Sequence, residues 1–239
     1  MKRKTSTPPK ARFNKSRLRT WLRWIGLGIA ALWLLAAVML VGLRWINPPT
    51  TAVRAERQVQ GWFQPDVHGK PYREHYEYMP LRMISPNLQH AVVSAEDARF
   101  YLHHGFDWHQ VQIDAAGDLE GGRVRGASTI TQQLVKNLFF GTGRSILRKG
   151  AEASLVPVAE LVLGKRRILE IYLNVVEWGQ GIYGADAACR VYYGTAARNI
   201  GREQAARLAA ILPAPRKRRP ERMNRYSEII LERMSQVGW

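Results

Sequence analysis

The chain has 239 residues, with 36 Lys and Arg against 19 Asp and Glu, and a single cysteine, Cys189. Once a span-length apolar stretch is set aside, the rest suffices for one well-buried domain, and a lone cysteine excludes an intrachain disulfide framework. The net charge of +17 suits nucleic acid, an anionic membrane surface or a phosphate-bearing substrate, and ten of the basic side chains fall within residues 1–44, before the first acid at Glu56.

Nine of those ten, from Lys2 to Arg23, precede an uncharged run from Ile25 to Leu43. As a helix this run covers about 28 Å, close to the hydrocarbon thickness of a bilayer. Trp21, Trp24 and Trp45 stand at its ends, where amphipathic rings favour the interface. The run exceeds a signal-peptide core, and Arg44 follows with no small-residue cleavage site, which favours a retained anchor. The positive-inside rule then places residues 1–24 in the cytoplasm, near anionic head groups. The expected division is a basic cytoplasmic tail (1–24), a transmembrane helix (25–45) and one domain beyond the membrane (46–239).

Asn47-Pro48-Pro49 ends the anchor. Residues 46–85, with Tyr72, Tyr76, Tyr78, Pro71 and Pro80, read as extended or irregular, with a short strand. Ser85-Pro86 is an N-cap followed by proline at the first helical position, and Leu88, Ala91, Val92 and Ala95 continue at helical spacing. Further helical patterns cover about 108–117, 127–139, 145–163, 165–176, 183–193, 202–211 and 223–236. Gly121-Gly122, Gly141-Thr142-Gly143 and Gly179-Gln180-Gly181 separate several of them. Alternating runs are few, so the domain reads as mainly α. The run Pro213–Pro220, which holds Arg216, Lys217, Arg218 and Arg219, reads as a solvated basic loop.

Four blocks carry chemistry. In Glu96-Asp97-Ala98-Arg99-Phe100-Tyr101-Leu102-His103-His104-Gly105-Phe106-Asp107, adjacent carboxylates diverge, so one can face a cleft while its neighbour makes structural bonds. The adjacent histidines are poorly spaced for one metal. In the second block Ser128, Gln132 and Lys136 share one helix face, Thr129, Gln133 and Asn137 form the next row, and Ile130, Leu134 and Leu138 form an apolar row. So many neutral hydrogen-bonding groups with one cation suggest a surface that binds something polar. In the third, Arg148 and Lys149 lie near the start of a helix whose dipole disfavours them. A pair with Glu152 four residues on is one explanation; a bound phosphate, held by the cations and the helix N–H groups, resolves the conflict better. In the fourth, Lys165-Arg166-Arg167-Ile168-Leu169-Glu170-Ile171-Tyr172-Leu173-Asn174, Glu170 and Asn174 are spaced by four. A buried polar bridge and a direct role at the site are equally open. The small residues between Gly181 and Gly194 fit close helix packing.

In this order the blocks resemble the peptidoglycan glycosyltransferases of glycosyltransferase family 51, over about residues 75–215. The lack of a Ser-x-x-Lys motif points to the monofunctional form, without a transpeptidase domain. The resemblance implies a lysozyme-like helical fold with a cleft at the outer face of the bacterial inner membrane. It implies lipid II and the nascent glycan strand as substrates, with β-1,4 linkage and inversion at the anomeric carbon. By motif position, Glu96 would be the general base and Glu152 the second acidic residue. Lys136, Arg148 and Lys149 would neutralise the pyrophosphate, while Ser128, Thr129, Gln132, Gln133 and Asn137 line the site. Asp97, Phe100, His103, Gly105, Glu170, Tyr172 and Asn174 would support it. Leu138-Phe139-Phe140 falls where the family contacts the membrane. A divalent cation, Mg or Mn, assisting the pyrophosphate is compatible with the family, as are cell-division proteins as partners.

These roles agree with the chemistry. A sugar hydroxyl is a poor nucleophile and needs a positioned base, while a pyrophosphate leaving group calls for cations rather than a proton donor. Pro157, inside the helix after Glu152, is expected to kink it, and Tyr193 stands where phenylalanine is common. A glycan-cleaving enzyme on the same fold is the nearest alternative, and the three cations argue against it. A silent scaffold of the division machinery need not keep every catalytic-type side chain. Nucleic acid is disfavoured, because the domain's basic residues are interleaved with acids.

Overall fold

The computed structural model describes residues 15–63, 72–119, 128–143 and 145–239. Most of the basic tail, Pro71, the Gly121-Gly122 break and the expected helix start at 127 lie outside these residues.

The first helix, α1 (Lys15–Gly42), contains a stretch from Arg19 to Gly42 long and apolar enough to cross a membrane. Burial begins near its C-terminal end, at Leu40, with Leu43 buried just after it. The second helix, α2 (Ala52–Phe63), falls where extended chain was expected. Arg54 N–H donates to Thr51 Oγ1 at its start, a threonine cap that the neighbouring prolines and tyrosines obscured. The expected short strand is β1 (His75–Tyr76).

The domain is helical from there. Helix α3 (Pro86–Glu96) begins as expected, with Ser85 Oγ accepting from Asn87 N at 3.3 Å. After it come α4 (Trp108–Leu119), α5 (Ile130–Phe139) and α6 (Ile146–Val175). Helix α5 starts three residues later than expected. Thr129 is its N-cap, in a capping box with Gln132, so Ser128 lies outside the helix and does not share a helical face with Gln132. The backbone of α6 stays helical through Pro157 and departs from helical geometry at Gly164, where φ is +70° and ψ is 161°. The expected division at 163–165 is correct, and Pro157 itself keeps helical backbone angles. Glycine alone adopts that φ at little cost, so the chain turns there.

Two short strands, β2 (Glu177–Gly179) and β3 (Ile182–Tyr183), complete a small sheet ordered β1-β3-β2. Strand β3 pairs in parallel with β1, His75 opposite Ile182, and antiparallel with β2. Because Tyr183 belongs to this sheet, α7 runs Ala185–Tyr193 rather than from 183. Helices α8 (Arg202–Ala209) and α9 (Asn224–Gln236) close the chain onto α3.

The core lies between α5 and α6 and between α3 and α8. Phe100, Ile130, Leu134, Ile168, Tyr172 and Trp178 are fully buried in it, each aliphatic side chain contributing about 1.5–3 kcal/mol of transfer free energy. Leu138 continues the Ile130–Leu134 stripe and is buried, and Phe139 and Phe140 pack against the core. The membrane-contact expectation thus fails at Leu138, because the same helical row cannot face both core and lipid. Ile146, Leu147 and Leu161 of α6 are among the exposed apolar residues, at 91%, 89% and 86% exposure.

Helix α1 packs on α6. Trp33 Nε1 donates to Ser154 Oγ at 3.0 Å. Arg167, just past the Gly164 break, donates to the carbonyls of Leu43 (2.8 Å) and Ile46 (2.9 Å) and to Asn47 Oδ1 (3.0 Å). These acceptors lie in the turn that follows the end of α1.

Candidate active site

The site is built around α5, which packs on α6 and is bonded to the residues at the end of α3. Glu96 is the last residue of α3 and Asp97 its C-cap, and the two carboxylates part as expected. Asp97 is buried. It accepts from the Ile130 amide at 3.0 Å and from His103 Nε2 at 2.9 Å. The Gly105 amide donates to His103 Nδ1 at 3.1 Å, so Nδ1 carries the lone pair and Nε2 the proton. Gly105 has φ +96°, and a Cβ there would meet Val156. Its carbonyl accepts from Thr129 Oγ1 at 2.6 Å. A single network therefore fixes the turn after α3 to the first turn of α5.

Glu96 lies on the other side of this network. Gln133 Nε2 donates to Glu96 Oε2 at 2.7 Å, and the buried Tyr172 hydroxyl donates to Gln133 Oε1 at 2.9 Å. Since a phenol donates to the carbonyl end of an amide, Tyr172 orients Gln133 with its NH2 toward the carboxylate. Burial raises the Glu96 carboxyl above its ordinary range, offset in part by Gln133 and by the charges of Arg218 and Lys136. An ionised carboxylate that has lost water is a stronger base than one on the surface.

Lys136 lies one turn beyond Gln133. Burial lowers its ammonium below the usual lysine value, and the Glu152 charge is the largest opposing influence. Glu152 is 1% exposed. Arg148 Nε approaches it at 3.2 Å and Lys149 Nζ at 3.5 Å. Arg148 Nη1 also donates to the Gly141 carbonyl at 3.0 Å, and Ser145 Oγ caps α6 by accepting from the Arg148 amide at 3.1 Å. The Arg148–Glu152 pair that the sequence offered as one explanation is thus present. It does not exhaust the cations: Lys149 also pairs with Glu152, its side chain 53% exposed, and the charge of Lys136 is coupled to the same carboxylate. Neither Glu152 oxygen has a partner of hydrogen-bond geometry, so these contacts are loose ion pairs.

The remaining residues divide clearly. Asn137 is buried and donates to the Gln133 carbonyl at 2.8 Å. Gln132 completes the capping box, and Phe100 is core, with Lys165 Nζ 4.5 Å from its ring centroid. Glu170 accepts from the Leu81 amide (2.8 Å) and the Tyr78 hydroxyl (3.1 Å), while Asn174 bonds the Met79 amide (2.7 Å) and carbonyl (2.8 Å). These two bind residues 78–81 to α6, the polar-bridge alternative. Ser128 lines a cavity of 330 Å³ together with Glu96.

Asp97, His103 and Asp107 offer ligand atoms within 4.8 Å of one another, a composition that could hold a metal. As arranged they do not fit one. The His103 nitrogens are committed to Gly105 and Asp97, and Asp107 accepts from Gln110 N at 3.1 Å and pairs with Arg99 at 3.2 Å.

Two contributors escaped the sequence reading. Arg218, in the supposedly solvated loop, is half-buried, donates to the Ala210 carbonyl at 2.8 Å and acts on Glu96. The end of α9 supplies part of the cavity wall. Pro215 and Pro220 bracketing the basic run were the available hint that it is held rather than free.

A family model described as Transglycosylase matches residues 65–235. The chain is 46% identical over 216 residues to a protein of Pseudomonas entomophila (strain L48) named biosynthetic peptidoglycan transglycosylase, covering 87% of this chain and 89% of that one. Proteins of the same name from Pseudomonas putida (strain W619) and Ectopseudomonas mendocina (strain ymp) are 44% and 42% identical. The matches cover 93% and 87% of this chain, and 91% and 86% of theirs.

Proposed function

The chain belongs to the transglycosylase family and is a peptidoglycan glycosyltransferase, and from that premise we propose that it polymerises glycan strands from lipid II. In this reading Glu96 removes the proton from the 4-hydroxyl of the acceptor. The oxygen attacks the anomeric carbon of the donor from the face opposite the leaving group. The bond from that carbon to the pyrophosphate oxygen breaks, and the undecaprenyl pyrophosphate departs with the electron pair, leaving an inverted β-1,4 linkage. Lys136, Arg148 and Lys149 hold the charge that develops there, and Glu152 keeps the three cations together. Gln133 and Asn137 shape the site between base and clamp, while Ser128, Thr129 and Gln132 shape it beside the base at the start of α5.

The observation that carries the reading is the placement of α5. It presents Gln133 to a desolvated carboxylate and, one turn later, Lys136 to a cluster of cations. Cleavage of a neutral glycosidic bond would have no use for that cluster. The cations present supply the charge a pyrophosphate needs, so no step is assigned to a divalent ion.

The same reading sets the chain in the bacterial inner membrane, with residues 1–24 cytoplasmic, 25–45 as the span and 46–239 periplasmic. Ile146, Leu147 and Leu161 then meet lipid beside α1, where both substrates keep their polyprenyl chains. The test is incubation of the detergent-solubilised chain with labelled lipid II. Muramidase-sensitive strands should form with the native protein and vanish with Glu96→Gln. Strands persisting in that variant would reject the base, and cleavage of preformed glycan without strand formation would reject the polymerase.

A further inference from the structure

A second cavity, of 310 Å³, lies where residues 80–82 meet α6 just past the Gly164 break, and Arg82, Arg166, Arg167 and Glu170 line it. Its volume is at the lower end of the roughly 300–1,000 Å³ of ligand pockets. Its one acid is already satisfied: Glu170 accepts from the Leu81 amide, the Tyr78 hydroxyl and Arg167. Arg167 is fully committed too. A guanidinium has five N–H donors, and Arg167 directs them to Leu43, Ile46, Asn47, Tyr78 and Glu170. Arg82 and Arg166 are different. Both are exposed, and neither side chain has a hydrogen-bond or ion-pair partner among the described residues. The cavity therefore carries two uncompensated positive charges.

Its place indicates what they meet. Through Arg167 the cavity adjoins residues 43–47, where the chain leaves the span-length helix and Trp45 and Ile46 are exposed. With α1 across a bilayer, this is the head-group layer on the side of the domain. Arginines at that level attract anionic lipid, and the guanidinium fork matches phosphate oxygens. A zwitterionic head group would bring its own cation to two arginines, with no acid free to receive it. The cation cluster around Glu152 is a separate place. Glu152 stands 12 residues before Gly164, about 18 Å along α6, so a pyrophosphate held there leaves this cavity open.

We propose that the cavity binds the head group of an anionic phospholipid. Arg82 and Arg166 grip its phosphate, and its acyl chains lie along α1 beside Trp45 and Ile46. The bound lipid then abuts the arginine that joins α1 to the domain. The proposal rests on α1 as a membrane span and is independent of the polymerase reading.

The experiment reconstitutes the full chain in phosphatidylcholine vesicles containing a photoactivatable phosphatidylglycerol or a photoactivatable phosphatidylcholine, the reactive group at the top of one acyl chain. Labelled peptides are mapped by mass spectrometry. In peptides holding residues 43–47, 80–83 and 161–167, the anionic label should exceed the zwitterionic one by about fivefold for each arginine. Arg82→Gln and Arg166→Gln should each remove one such factor, the double glutamine variant should bring the labels to parity, and lysine at both positions should keep part of the preference. Equal labelling of these peptides in the native chain, or a preference surviving in the double glutamine variant, would overturn the site. Excess glycerophosphoglycerol at matched ionic strength should leave the label in place; displacement would overturn the lipid assignment in favour of a soluble phosphate ester. Melting curves accompany the variants, and if the glutamine variants do not fold, the native preference and the lysine variant still decide. Labelling of residues 25–42 by both lipids reports the span. Its absence would reject the anchor and the site together, whereas a labelled span without preference at the cavity would reject the site alone.

Discussion

Glu96 is half-buried and Glu152 buried, both carboxylates lie next to α5, and they are held in opposite ways. Glu96 takes its place from directional bonds, since Tyr172 orients Gln133, Gln133 donates to Glu96, and the Asp97–His103–Gly105–Thr129 network fixes the turn behind it. Glu152 is held by ion pairs of 3.2 and 3.5 Å on the first turns of a helix whose leading residues Ile146 and Leu147 are almost fully exposed. The difference matches the tasks proposed for the two residues. A general base must meet one proton at one distance, whereas a clamp for a flexible, doubly charged leaving group gains from cations that can shift.

Glu96→Gln breaks the first half of the comparison outright. Strand formation should fall by about 10²–10⁴-fold, the usual contribution of a positioned base. Stability should move the other way. A carboxyl whose folded pKa is raised adds stability below its unfolded value and loses it as pH rises through the folded value. The native chain is therefore penalised at neutral pH, and the variant should melt higher there but not in acid. A lower melting point at pH 7 would show that Glu96 is a structural anion.

The clamp is broken by Lys136→Gln, which should lower kcat by about 10²–10³-fold, comparable with loss of a preorganised electrostatic group. The native alkaline limb, set by a lysine lowered through burial, should disappear with it. A retained limb would assign that titration elsewhere.

Gln133→Leu sharpens the contrast more gently. It removes the donor that counters the desolvation of Glu96, so the acid limb of the pH–rate profile should move further up, with a loss of about tenfold from one hydrogen bond to a charged group. Binding of a soluble pyrophosphate at the clamp should not change. The smallest effect belongs to Ser145→Ala, which removes the cap of α6 at about 1 kcal/mol. Melting should report it, and an adaptable clamp should lose at most a few-fold in activity. A large loss would mean that the clamp is as tightly placed as the base.

What the sequence conveyed follows the range of the interactions. The Ser85-Pro86 start, the division of α6 and the divergence of Glu96 from Asp97 depend on near neighbours, and all were legible. The start of α5 was misplaced because Ser128 and Thr129 are both capping residues, and only the reciprocal bond with Gln132 decides between them. Helix α2 was hidden because its polar face is answered by distant partners, Glu56 binding Thr142 and Arg54 pairing with Glu74. Strands of two and three residues show no periodicity, and β1 finds β3 more than a hundred residues on. Arg218 and the end of α9 reach Glu96 only through packing of α8 and α9 on α3, which no local pattern encodes.

The contacts of Trp33 with Ser154 and of Arg167 with the carbonyls after α1 have a mechanical consequence. The domain is not a kite on a string. Its anchor is a mast stepped into the helix that carries Glu152, so the bearing of the cleft is set by the same post that attaches it. In the proposed polymerase, the torque of a lengthening strand would be borne by that frame.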